Sequence, residues 1–62
     1  MQSDSKFISD RIRSLRMARN VKQSELDEKS GLPRSTISKI ENSKREATAS
    51  ELVRIAQALG LT

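Results

Sequence analysis

The sequence predicts an all-α fold, and three observations carry that expectation. Apolar residues recur at spacings of three and four in two separate segments, Ile8, Ile12 and Leu15 near the start and Leu52, Ile55, Ala56 and Leu59 near the end. That spacing lays one apolar stripe along a helix. Gly31, Pro33 and Gly60 fall where helical segments should stop, because glycine accepts the left-handed backbone that ends a helix and proline resists continuing one. No stretch alternates apolar and polar residues over a useful strand length.

Met1 to Ser5 is polar and is expected to be a disordered N-terminus, with Asp4 or Ser5 capping a first helix from about Lys6 to Arg19. Asp10, Arg11, Arg13 and Ser14 face water on that helix, and Phe7, Met17 or Ala18 widen its apolar stripe. Asn20-Val21-Lys22 reads as a connector in which Asn20 takes the left-handed conformation and Val21 re-enters the core. A second helix, Gln23 to Ser30, carries Glu25 and Glu28 toward its start and Lys29 near its end, matching the helix dipole. Gly31 stops it, and Pro33 disfavours the helical region for Leu32. A third helix then runs from Arg34 to about Glu41 with Ile37 and Ile40 inward, and Asn42 to Glu46 form an exposed connector. Thr48 followed by Glu51 has capping-box spacing directly before the last apolar run, so a fourth helix extends to Gly60. Leu61 is expected to fold back onto the core, and Thr62 is a candidate cap for a further helix.

The chain has 62 residues, no cysteine, no histidine and one aromatic residue, Phe7. Disulfide staples, thiolate chemistry and the usual zinc sites are thereby excluded, and no metal or other cofactor is expected. Aromatic stacking of single strands is equally ill served. The remaining acids are scattered over caps and helix surfaces, no glycine-rich phosphate loop exists, and the expectation is a protein that is not an enzyme. Twelve Lys and Arg against eight Asp and Glu give a net charge of +4, which favours a polyanionic partner. No apolar run approaches the ~20 residues needed to span a bilayer, and a cytoplasmic location is expected.

Gln23, Leu26, Gly31, Leu32, Ser35-Thr36-Ile37-Ser38, Ile40-Glu41-Asn42 and Lys44, then Leu52, Ile55-Ala56 and Ala58-Leu59-Gly60, together resemble the Cro-type, phage-repressor-like helix-turn-helix family of transcriptional regulators. The likeness covers roughly Ile8 to Thr62 and joins several separated motifs. It implies a compact lambda-repressor-like bundle of four or five helices over residues 6–62, with the second and third helices as the reading unit. It also implies double-stranded DNA as partner, bound as a homodimer on a partly palindromic site, and leaves open a longer protein of which this is the N-terminal domain. Three positions depart from the family pattern. Asp27 stands where a small residue is usual, Ser43 replaces a glycine and Ala47 a proline. The Asp27 carboxylate must either tilt to solvent or accept hydrogen bonds near the start of the third helix, since a buried unpaired charge is too costly for so small a core.

On this reading Arg34, Ser35, Ser38 and Lys39 line the outer face of the third helix and contact bases, Arg34 being suited to the O6 and N7 atoms of guanine. Gln23 and Thr36 resemble the family's backbone-positioning pair, and Asn42, Lys44 and Arg45 are placed to hold the flanking phosphates. Arg19 and Lys22 are weaker candidates for that role. The resemblance further implies a structural salt bridge between Arg16 and Glu41. The rival reading is a helix-turn-helix scaffold used for protein interaction, as in an antitoxin or an adaptor.

Overall fold

The computed structural model describes residues 4–61 and contains four helices: α1 (Asp4–Ala18), α2 (Gln23–Lys29), α3 (Thr36–Glu41) and α4 (Ala49–Ala58). The expectations placed on Met1 to Ser3, on the capping side chains of Asp4 and Ser5, and on Thr62 lie outside the described residues; α1 itself begins at Asp4 rather than Lys6. Ile12, Leu26, Leu32, Ile37, Ile40, Ile55 and Leu59 form the buried core, with Ile8, Leu15, Val21, Ala47, Leu52 and Ala58 packed around it. Leu26 and Ile37 are wholly inaccessible and Ile40 nearly so. The helix-turn-helix segment thus supplies the centre of the core, while α1 and α4 close it from outside. Phe7 and Met17 do not widen the buried stripe, being more than half exposed.

All four described helices end in the same way. The chain turns through a residue of positive φ at Asn20, Gly31, Ser43 and Gly60. The next N–H then reaches back to the helix: Val21 to the Arg16 carbonyl, Leu32 to Asp27, Lys44 to Lys39 and Leu61 to Ala56, at 2.8–3.1 Å. This is the Schellman arrangement, which satisfies carbonyls left without a partner inside the helix. After α1 and α2 the residue that follows is Val21 or Leu32, and it packs into the core. After α3 it is Lys44, exposed and basic. After α4 it is Leu61, which stays 43% exposed and so does not return to the core as expected.

The start of α4 follows the capping box. Thr48 Oγ1 accepts from the Glu51 N–H at 3.1 Å, and the Glu51 carboxylate accepts from the Thr48 N–H at 2.9 Å. The start of α3 differs from the expectation. Arg34 and Ser35 lie in a turn before the helix, closed by the Thr36 N–H on the Pro33 carbonyl at 3.2 Å. Ser35 has φ 70°, a left-handed conformation that cannot belong to a right-handed helix, so α3 is confined to Thr36–Glu41.

Candidate nucleic-acid interface

The short α3 is held at both ends by buried polar groups. At its C-terminal end the Arg16 guanidinium lies along the Glu41 carboxylate, with Nε donating to Oε2 at 2.7 Å and Nη2 to Oε1 at 3.0 Å. Arg16 Nη1 donates to the Val21 carbonyl at 2.8 Å. Only 2% of the Glu41 side chain and 13% of the Arg16 side chain remain exposed. The hydrogen bond to Glu41 raises the Arg16 pKa against the opposing effect of burial, so the guanidinium is firmly charged. This ion pair ties α1 to α3, and its planar two-point geometry fixes orientation as well as distance.

At the N-terminal end the Asp27 carboxylate reaches over from α2. Its Oδ1 accepts from the Ile37 N–H at 2.8 Å and its Oδ2 from the Ser35 N–H at 3.0 Å. Of the two fates open to Asp27 the structure has the second: it is buried and satisfied, with 5% of its surface exposed.

Between these clamps the exposed surface carries the residues singled out for base contact. Arg34, Ser35 and Lys39 are exposed and Ser38 half-buried. Arg34, Ser35 and Ser38 share a shallow cleft of about 230 Å³ with Gln23, Ser24 and Asp27. Among the described residues no carboxylate pairs with Arg34, Lys39 or Lys44. Asn42 is exposed, its Nδ2 lying 3.5 Å from Ser38 Oγ.

Three expected phosphate ligands have other neighbours. The Gln23 amide donates to Glu41 Oε1 at 3.0 Å; one Nε2–H is used, and the second remains for another acceptor. Thr36 is 7% exposed, and its N–H donates to the Pro33 carbonyl at 3.2 Å. Arg45 is bound in two places by Glu51, through Nη1 at 2.9 Å and Nη2 at 2.6 Å. That pairing, with the Thr48 N–H bond second, holds the Glu51 carboxyl at about 2. Nothing in the spacing of Arg45 and Glu51 announces the pair, which spans a loop rather than a helical turn. The Asp27 cap is equally irregular, its signal being only an acidic residue on an otherwise apolar approach between two helices.

Two short helices joined by a turn on a four-helix scaffold, with Asp27 and Glu41 buried between them and Arg34 and Lys39 outward, define a helix-turn-helix domain. A family model described as helix-turn-helix, of the Cro/C1 type, matches residues 12–62. The chain belongs to this phage-repressor-like family of DNA-binding transcriptional regulators. No curated protein and no solved structure matches the chain. No helix among the described residues is long and apolar enough to cross a membrane.

Proposed function

We propose that this chain binds double-stranded DNA in a sequence-specific way, with α3 and the turn before it in the major groove. The observation that carries the reading is the separation of charge around α3: Glu41 and Asp27 are buried and consumed by internal bonds, while Arg34, Lys39 and Lys44 stand exposed without carboxylate partners. A helix with that outer surface suits the ~12 Å width of the groove. Arg34 and Ser35 then approach bases from the turn, and Ser38 and Lys39 from the helix. Gln23 with its remaining N–H, Asn42 and Lys44 contact phosphates and set the register. Thr36 contributes through its position at the helix start, and Arg45 through the edge of a guanidinium already engaged by Glu51.

Two copies on a partly palindromic site would place their reading helices one turn of DNA apart, ~34 Å. The domain measures 32 × 22 × 19 Å, dimensions of the same order as that spacing. The test is a fluorescence anisotropy titration of selected and randomised duplexes at two salt concentrations, with Arg34→Ala beside the wild type. The expected result is steeply salt-dependent binding with a sequence preference that Arg34→Ala relaxes. Absence of binding to any duplex at low salt would overturn the proposal and turn attention to a protein partner.

A further inference from the structure

The turn that carries Arg34 into α3 is not held by its own side chains. The Ser35 side chain makes no capping bond, although Ser35 occupies the cap position. Its φ of 70° lies in a region that residues with a Cβ enter only at a cost. The three N–H groups from Ser35 to Ile37 would be left open by such a start. Asp27 takes the first and third, at 3.0 and 2.8 Å, and the Pro33 carbonyl takes the second at 3.2 Å. Both carboxylate oxygens come from α2, from a residue 5% exposed, and they bind the strained residue's own N–H and that of Ile37, two positions on. The conformation of the turn is therefore dictated from the neighbouring helix.

We propose that Asp27 is a positioning residue for base readout. Its carboxylate holds the Arg34-Ser35 turn at one angle to α2, so that Arg34 and Ser38, which line one cleft with Asp27, meet bases in a single register. This rests on the DNA-binding reading above and deepens it. Its consequence is specific. Lys44 and Asn42 follow α3 at its other end, and Gln23 is held by Glu41, so these three phosphate contacts have supports other than Asp27. Loss of the carboxylate should blur sequence discrimination and leave nonspecific, salt-dependent attraction in place.

The experiment compares the affinity for a selected duplex with that for a scrambled one, at a common salt concentration, for the wild type, Asp27→Ala and Asp27→Asn. Amide exchange by NMR is followed at Ser35 and Ile37 in the same proteins, with Leu26 as a reference on α2. For Asp27→Ala the ratio of the two affinities should fall about tenfold, within what one well-aligned bidentate arginine contributes, with the salt slope unchanged. Exchange at Ser35 and Ile37 should quicken while Leu26 keeps its protection. Asparagine has the same shape but one acceptor oxygen, and should give an intermediate ratio. Retention of the wild-type ratio by a folded Asp27→Ala overturns the proposal. If the alanine variant unfolds, a wild-type ratio in Asp27→Asn overturns it instead, leaving Asp27 a purely structural cap. A wild type that binds no duplex removes the DNA reading itself and this proposal with it, an outcome recognisable because exchange at Ile37 would still respond to the substitution.

Discussion

Replacing Arg16 by methionine tests how α3 is held. The substitution keeps much of the side-chain volume and removes two bonds to the Glu41 carboxylate and one to the Val21 carbonyl. Glu41 would then be left 2% exposed with Gln23 Nε2 at 3.0 Å as its remaining side-chain donor. Removing one partner of a buried pair costs about 3–5 kcal/mol, chiefly because an uncompensated charge stays behind. The residual exposure of Arg16 and the bond from Gln23 place this case at the lower end, about 3 kcal/mol. At ~0.05–0.15 kcal/mol per residue, a chain of 62 residues has roughly 3–9 kcal/mol in total, so a third or more of the stability is at stake. With about 4–8 °C lost per kcal/mol in a domain of this size, thermal melts followed by far-UV circular dichroism at neutral pH should fall by roughly 12 °C or more. The double variant Arg16→Met with Glu41→Gln should recover part of the loss, since a neutral amide leaves no buried charge. A single variant melting within about 2 °C of the wild type would refute the reasoning.

Three further outcomes are expected. The Glu51 carboxyl is drawn down from 4.5 to about 2, first by Arg45 and then by the Thr48 N–H. Its contribution to stability is therefore complete above pH 4.5 and is lost as pH falls toward 2. Glu51→Gln should melt lower than the wild type at neutral pH and converge with it through that window, whereas parallel melting curves against pH would contradict the assignment. Gly31→Ala would place a Cβ 3.7 Å from Arg54 Nη1, an ordinary contact, at a backbone φ of +67°. The cost is then backbone strain alone, about 1 kcal/mol, read as a lower urea midpoint with an unchanged slope; an unshifted midpoint would show that the turn does not demand the left-handed conformation. Lys44→Ala should weaken binding to all duplexes alike and lower the salt slope by about 0.9, and a changed sequence preference would move Lys44 from phosphate to base.

The parts of this fold that were legible in the sequence are those governed by local repetition. The 3–4 spacing of Ile8, Ile12 and Leu15 and of Leu52, Ile55 and Leu59 located α1 and α4, and Thr48 with Glu51 located the start of α4. Asn20 takes the left-handed conformation read from its residue type. The start of α3 was misplaced because Pro33 is compatible with a helix beginning at once, and nothing in Arg34-Ser35-Thr36 betrays the positive φ at Ser35. That conformation is stabilised by Asp27, eight positions earlier and on another helix. Arg16 and Glu41 were associated only through the family resemblance, since no periodicity links residues so far apart. The same holds for Gln23, whose tie to Glu41 is visible only in the folded chain. Long-range polar contacts obey geometry that exists only after the helices have packed, and a linear pattern carries no trace of it.

Those contacts also explain how a helix of six residues can serve as a rigid surface. Isolated, α3 would be far below the length at which helices persist in water, and its buried apolar contribution is limited to Ile37 and Ile40. Two apolar anchors on one face leave the helix free to roll and to slide along its axis. Asp27 at the first turn and Arg16 at the last remove both freedoms, because each makes paired, directional bonds from a different helix. The arrangement divides labour cleanly. The anions that orient α3 are turned inward and engaged by internal bonds, and the cations that would meet a polyanion are outside. Substitutions at Arg34, Ser38 or Lys39 should therefore alter recognition with little change in melting temperature, because none of these side chains takes part in holding the helix. Substitutions at Arg16 or Glu41 should do the reverse, lowering the melting temperature first, with recognition following through the looser hold on α3 and on Gln23. A variant set in which melting temperature and sequence preference always moved together would be incompatible with this division.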